Sequence, residues 1–279
     1  MPSLLELKKH LHSIQMTGQL AGAMKTVSAA KLNRLNGALQ RFSTYEDLCQ
    51  QILDRFGGDL AEMYPCGAPD APGCYVVLGA NRGLCGGYNI ELYSYADQLL
   101  RQSIPAGSLL VVVGKHAIAH YRESGLPIYR EYTLPDTFRY EDCMALFDEI
   151  VGLYTNGTVS SVTLVYQHFV NMLTQTPQSH QLLPLTKVDA HTDMAVEELY
   201  VPDRETVLGA AANTCLHADF YSHLLEAGAG NQAATLIAMR SAFDNAESSA
   251  AALESAISRK RQSDVTSSVI ETAGGFIEE

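Results

Sequence analysis

Ser3-Leu4-Leu5-Glu6-Leu7-Lys8-Lys9-His10-Leu11-His12-Ser13-Ile14 opens the chain with the spacing of a helix that has one dry side. Ser3 and Glu6 make a capping-box pattern, in which each side chain takes up a free backbone N–H of the first turn. Apolar or small residues then recur at Leu4, Leu7, Leu11, Ile14, Gly18, Ala21, Met24, Ser28, Leu32, Leu35, Leu39 and Phe42. Steps of three and four are the period of a seam between helices. The C-terminal stretch repeats it at Leu236, Met239, Phe243, Ala246, Ala250, Leu253 and Ile257. At ~1.5 Å per residue, helices over residues 3–56 and 203–279 would run about 80 and 110 Å. A single domain cannot bury helices of that length from end to end. The terminal helices are therefore expected to wrap around each other, with the rest of the chain inserted between them.

The composition narrows the class. A chain of 279 residues with 47% hydrophobic content can bury a sizeable core and is not generally disordered. A formal charge of −12 and a pI near 5.1 argue against nucleic acid as a partner, because phosphate contacts need a basic face. No apolar run approaches the ~18 residues that span a bilayer, and the amphipathic start lacks the apolar core of a secretory signal. The six cysteines, at positions 49, 66, 74, 85, 143 and 215, form no C-x-x-C pair and read as buried reduced thiols.

Every proline after Pro2 falls between Pro65 and Pro202, which marks the inserted segment. The first helix is expected to stop at Gly57-Gly58, where glycine can close a helix in the left-handed conformation. From there short apolar runs alternate with helical ones. Strands are expected at Cys74–Gly79, Leu109–Val113, Ile128–Thr133, Val162–Phe169 and Leu182–Val188, with helices at Asn89–Gln102, Lys115–Ser124 and Tyr140–Tyr154. That alternation means a mostly parallel sheet covered by helices. Residues 189–202 form a polar return linker, and Asp203 caps the last helix. Ala, Ser and Gly crowd that helix between 209 and 256. Gly18 and Gly22 do the same for the first, which predicts close helix–helix contact.

Sequence chemistry alone gives no convincing enzyme. Gly79-Ala80-Asn81-Arg82-Gly83-Leu84-Cys85-Gly86-Gly87 lies between a strand and a helix, where a loop can cradle phosphate. It fits neither G-x-G-x-x-G nor G-x-x-x-x-G-K-[ST], so a packing turn is the better reading. His116 and His120 share a helix face, but Ala117 stands where a zinc protease needs glutamate. Cys85 beside Arg82 has no identifiable histidine to activate it and reads as a packing residue. Arg259-Lys260-Arg261-Gln262 is a basic patch on an acidic chain, suited to acidic loops on a partner, although basic residues also complement a helix C-terminus.

Several motifs, in order, carry a resemblance over the whole chain. They are Ala23-Met24-Lys25-Thr26-Val27-Ser28-Ala29-Ala30-Lys31-Leu32; Asn81–Asn89 (NRGLCGGYN); Tyr166–Gln175 with Phe169, Val170 and Asn171; Leu182-Leu183-Pro184-Leu185; Ala238-Met239 with Asp244-Asn245-Ala246; and Arg261-Gln262-Ser263-Asp264-Val265-Thr266. With these the chain resembles the gamma-subunit family of F-type ATP synthases. The resemblance implies an α/β fold: a long antiparallel coiled coil of N- and C-terminal helices (1–58 and 203–279) with an inserted Rossmann-like domain (74–195). It implies a central rotor shaft carrying torque between a membrane c-ring and a catalytic alpha–beta hexamer. Partners would be the alpha and beta subunits, the epsilon subunit and the c-ring, on the cytoplasmic face of a bacterial inner membrane.

No catalytic residue, metal or cofactor is implied, and no nucleic acid. Partner contact is implied for Met24, Lys25, Arg261, Gln262 and Thr266, the last three against a catch loop of the beta subunit. The chain also departs from the family pattern. Gln15, Gln19 and Gly22 stand where the family usually has lysines, and Asn231, Gln232 and Thr235 replace a Glu-His pair and an arginine. These departures suggest a divergent or alternate type of ATPase. Two other classes remain open from the residues alone: a coiled-coil scaffold or adaptor of another complex, and a nucleotide-binding enzyme built on the central domain.

Overall fold

A computed structural model of the protein describes residues 3–64, 68–103, 107–185 and 200–275. The chain divides into two compact units. One is made of the chain up to Ser28 and from Leu236 onward, the other of Ala29–Thr235. Helices α1 (Leu4–Met63) and α5 (Arg204–Gly275) contribute to both.

The first unit is a two-helix seam. The capping box forms as expected: Ser3 N–H donates to Glu6 Oε2 at 2.7 Å, and Glu6 N–H donates to Ser3 Oγ at 3.2 Å. Shielding in α1 recurs at Leu4, Leu7, Leu11, Ile14, Gly18, Ala21, Lys25 and Ser28, a strict alternation of threes and fours. In α5 it recurs at Met239, Phe243, Ala246, Ala250, Leu253, Ile257 and Lys260. A 3.5-residue period imposes a left-handed supercoil. The pairing is antiparallel, since Gln15 bonds Glu254 while Gly22, further along α1, meets Phe243. Glycine lets the backbones close: a Cβ on Gly18 would lie 3.2 Å from Ala246 Cβ, and one on Gly22 would lie 3.1 Å from the Phe243 ring. Lys25 lays its ammonium 4.4 Å from the centroid of that ring.

The second unit is a three-layer α/β domain. Strands β1 (Gly73–Leu78), β2 (Leu109–Val113), β3 (Arg130–Tyr132), β4 (Ser161–Phe169) and β5 (Gln175–Leu183) form one sheet in the order β3-β2-β1-β4-β5. All pairs are parallel except β4–β5. Because side chains alternate across a strand, Val77 and Val112 enter one core and Val76 and Val111 the other. Helices α2 (Tyr88–Ser103) and α3 (Lys115–Glu123) cover the first face with Leu92, Leu100 and Tyr121. On the second face α4 (Met144–Thr155) packs Phe147, Ile150 and Tyr154, and α5 adds Leu216, Phe220 and Leu224.

Three sequence expectations change. Helix α1 does not stop at Gly57-Gly58 but runs on to Met63. Leu60, fully buried, packs with Leu208 and Ala212 of α5. Two mid-helix glycines cost ~2 kcal/mol, which burial of Leu60 together with the packing of Phe56 and Met63 on the same cluster outweighs. The last strand lies at Gln175–Leu183 rather than starting at Leu182. It is a half-exposed edge strand rich in Gln, Thr and Ser, and Pro177 is tolerated there because an edge needs pairing on one side only. The expected 186–188 end of that strand and the linker up to residue 199 lie outside the described residues. The third strand shrinks to Arg130–Tyr132, and a 3₁₀ turn, Tyr140–Cys143, precedes α4.

Asp203 caps α5 as read from the sequence, accepting the Thr206 N–H at 2.8 Å. Cys49, Cys74, Cys85, Cys143 and Cys215 are buried and unpaired, while Cys66 lies outside the described residues.

The packing makes the glycines separable by experiment. A Cβ on Gly58 meets nothing within 4 Å, whereas one on Gly79 would lie 2.5 Å from Ala117 Cβ. In urea unfolding, Gly58→Ala should stabilise the protein by about 0.5–1 kcal/mol. Gly79→Ala should destabilise it by about 1–3 kcal/mol through overpacking.

Candidate functional site

The glycine-rich loop after β1 sits at the carboxyl edge of the parallel strands, where α/β proteins place their ligands. Its glycines serve close packing. Gly114 has φ +102°, and a Cβ there would lie 2.4 Å from the Gly79 carbonyl oxygen. The ends of β1 and β2 therefore touch backbone to backbone, and His116 N–H donates to Ala80 O at 3.0 Å.

Asn81 then ties three segments together. Its amide donates to Leu134 O at 2.7 Å and to Asp136 Oδ1 at 3.0 Å, and its carbonyl accepts the Lys115 N–H at 3.3 Å. Asp136 also takes a 2.6 Å ion pair from Lys31 of α1. Burial alone would push the Asp136 carboxyl up. The hydrogen bonds from Lys31 and Asn81, with the charges of Lys31 and Arg82, outweigh it and hold the group below the usual carboxylate range.

The second half of the loop anchors α5. Tyr88 O–H donates to Ala227 O at 2.9 Å, and Gln167 Nε2 donates to Tyr88 O at 2.9 Å. Cys85 is buried against Ala80 and Tyr88, and burial pushes its thiol up, away from a nucleophile's range. What remains of the strand-end crevice is a cavity of about 50 Å³, bounded by Gly79, Asn81, Phe138, Ala227 and Gln232 among others. A small-molecule pocket occupies ~300 Å³ or more. A carboxylate already stands at the N-terminus of α2: Glu91 is in its first turn, and a Cβ on Gly87 would lie 2.9 Å from Glu91 Oε1. His116 and His120 both stack on Tyr93, with centroids 5.9 and 4.4 Å away, and His116 Nδ1 lies 3.1 Å from the Tyr93 hydroxyl.

Of the five residues expected to touch partners, all lie in the two-helix unit. Met24 and Lys25 are half-buried, and Arg261, Gln262 and Thr266 are exposed on α5. Thr266 Oγ donates back to Gln262 O at 2.9 Å. Asp264 is engaged by Lys260 at 2.8 Å, one turn away, which neutralises the carboxylate nearest Arg261 in sequence. Arg261 makes no ion pair or hydrogen bond among the described residues. Around these residues the unit exposes large apolar side chains: Leu5, Met16, Leu20 and Val27 on α1, and Val265, Val269 and Ile270 on α5, each more than half open to solvent. The sequence marked Lys31 only as part of a longer motif, and it gave no sign of Asp136, which sits in a short loop where no periodicity speaks.

The Asp136 contact is testable by pH. An unperturbed aspartate titrates at ~3.9, and the folded value lies lower, so its stabilisation is complete above about pH 4 and is lost as pH falls below that. Asp136→Asn should cost about 1–3 kcal/mol at pH 7 by urea unfolding, and the gap to the parent should narrow at pH 3.

No helix among the described residues is long and apolar enough to cross a membrane. A sequence model of the ATP synthase family matches residues 3–277. The ATP synthase gamma chain of Exiguobacterium sp. is 30% identical, covering 99% of this chain and 98% of that protein. That of Anaeromyxobacter dehalogenans is 33% identical, covering 99% of each. Among solved structures, the rotor of the Euglena gracilis mitochondrial ATP synthase has a TM-score of 0.65 at 16% identity, over 94% of this chain and 98% of that one. The central stalk and c-ring structure of the Tetrahymena thermophila mitochondrial enzyme gives 0.61 at 19%, over 80% and 99%. These two establish likeness of fold. The matches of sequence run from end to end and take in both helices and the inserted domain, so the chain belongs to the gamma-subunit family of F-type ATP synthases.

Proposed function

We propose that this chain is the central shaft of an F-type ATP synthase, carrying torque between a membrane-bound c-ring and a catalytic alpha–beta hexamer. The observation that carries the reading is the surface of the two-helix unit. A helix pair standing in water keeps its outer faces polar. Here Leu5, Met16, Leu20, Val27, Val265, Val269 and Ile270 stand exposed instead. An apolar surface of this kind marks a protein contact. A ring of subunits around the helix pair would cover it, and apolar contacts without directional bonds let a shaft turn in its sleeve.

On this reading the alpha and beta subunits surround the two-helix unit, while the epsilon subunit and the c-ring contact the α/β domain. The chain is then peripheral to the membrane, on the cytoplasmic face of a bacterial inner membrane. It contributes no catalytic residue and binds no nucleotide. With about 50 Å³ left at the strand ends, titration of the isolated chain with ATP or NAD should give no low-micromolar binding, which would require ~8 kcal/mol from real contacts.

Arg261, Gln262 and Thr266 supply the polar grip on the beta subunit, and Met24 and Lys25 a second contact on α1. Arg261 can hold a carboxylate with two parallel hydrogen bonds, and Lys260 already occupies Asp264, which would otherwise repel an acidic loop. A charge-assisted bond is worth ~1.5–3 kcal/mol, so Arg261 should cost more to lose than Gln262. In the reassembled complex, Arg261→Ala with Gln262→Ala should lower torque in ATP-driven rotation and impair coupling, at unchanged assembly. A double variant that turns and couples like the parent removes these residues from the grip. Failure of the chain to co-purify with alpha and beta subunits would defeat the shaft reading itself.

A further inference from the structure

His180, Asp219 and His223 form a polar cluster apart from the glycine-rich loop. His180 lies on β5, the edge strand, and Asp219 and His223 lie one turn apart on α5. One donor atom from each falls within 4.8 Å of the other two. His180 Nε2 is 2.8 Å from Asp219 Oδ2, and His223 Nδ1 is 3.1 Å from Asp219 Oδ1. The two imidazoles stack with centroids 4.1 Å apart and planes 20° from parallel.

From this geometry we propose that His180, Asp219 and His223 bind a divalent first-row transition ion of the zinc class, fastening β5 to α5. Two imidazoles and one carboxylate are a ligand set that such ions take, with a fourth position left to water. The donors come from two elements and converge on one carboxylate, so a single divalent ion can bond all three at one point. His223 Nδ1 also lies 2.7 Å from the Asp219 carbonyl oxygen, a contact within one turn of α5 that holds the ring beside the carboxylate.

The surroundings fit a closed but wettable site. A cavity of about 190 Å³ opens beside His180 and Asp219, lined also by Glu46, Gln50 and Leu53, and it has room for a water ligand. Cys49 and Cys215 share its wall. The Cys215 thiol donates to Cys49 O at 3.6 Å, and neither sulfur belongs to the converging set of donor atoms. Glu226 is taken by His168 at 2.9 Å, and Glu46 by the Ser222 hydroxyl at 2.8 Å, so neither competes for the ion. The Tyr166 ring stands perpendicular to His223, with centroids 4.9 Å apart.

The test is titration of the full chain, stripped with a chelator, with Zn²⁺ by calorimetry and with Co²⁺ by visible absorption. The expected result is one saturable site with a dissociation constant in the micromolar range and Co²⁺ bands typical of four-coordinate nitrogen and oxygen ligation. His180→Gln and His223→Gln should each weaken binding by ~10-fold or more, while His168→Gln leaves it unchanged. His180 is about a third exposed, so its variant is expected to fold, which unchanged far-ultraviolet dichroism would verify. Absence of saturable Co²⁺ binding by the parent chain would overturn the proposal without recourse to any variant. Binding that survives in the folded His180→Gln, His223→Gln double variant would overturn it as well, as adventitious metal at other histidines.

Discussion

Two helices much longer than a domain must hide their apolar stripes, and the structure follows from how each stretch meets that demand. Within Ala29–Thr235 most of the demand is met by the α/β domain, with Leu48 of α1 left half open. α5 gives Leu216, Phe220 and Leu224 to the sheet, and Leu208, Ala212, Cys215 and Ala218 to α1. One helix thus serves as a layer of the α/β domain and as half of a helix pair at once. Small residues make this possible, since a bulkier α5 could not lie against both. Among the described residues of the two-helix unit, cover comes from the partner helix. The seam closes through Gly18, Gly22 and Ala246, while Leu5, Met16, Leu20, Val27, Val265, Val269 and Ile270 face outward.

The glycine-rich loop shows how one motif can suggest catalysis and deliver mechanics. Its position at the strand ends is that of a nucleotide site, yet each feature is spent on packing. Gly79 and Gly114 bring two strand ends into contact, Asn81 bonds three segments, and Tyr88 reaches the backbone of α5. A shaft that carries torque needs stiff joints between its elements. Hydrogen bonds into backbone carbonyls and a half-buried Lys31–Asp136 pair supply directional constraint where apolar contact alone would slide.

The sequence by itself determined the two long helices, because a 3.5-residue period sustained over many turns has no other physical reading. It determined the parallel strands β1, β2 and β4, whose Val-rich runs are buried on both faces, and the caps at Ser3 and Asp203, which rest on local chemistry. The basic patch with Arg261 and the loop at Asn81 were also legible as motifs. Only the tertiary structure decided what depends on distant partners. Leu60 carried α1 past two glycines by packing on Leu208, and the polar β5 became a strand because β4 offered it an open edge. Asp136 met Lys31 across the fold, and His180 met Asp219 and His223 from another element. Local propensity is written in neighbouring residues. Burial and ion pairing are properties of residues far apart in sequence, and they exist only once the chain has folded.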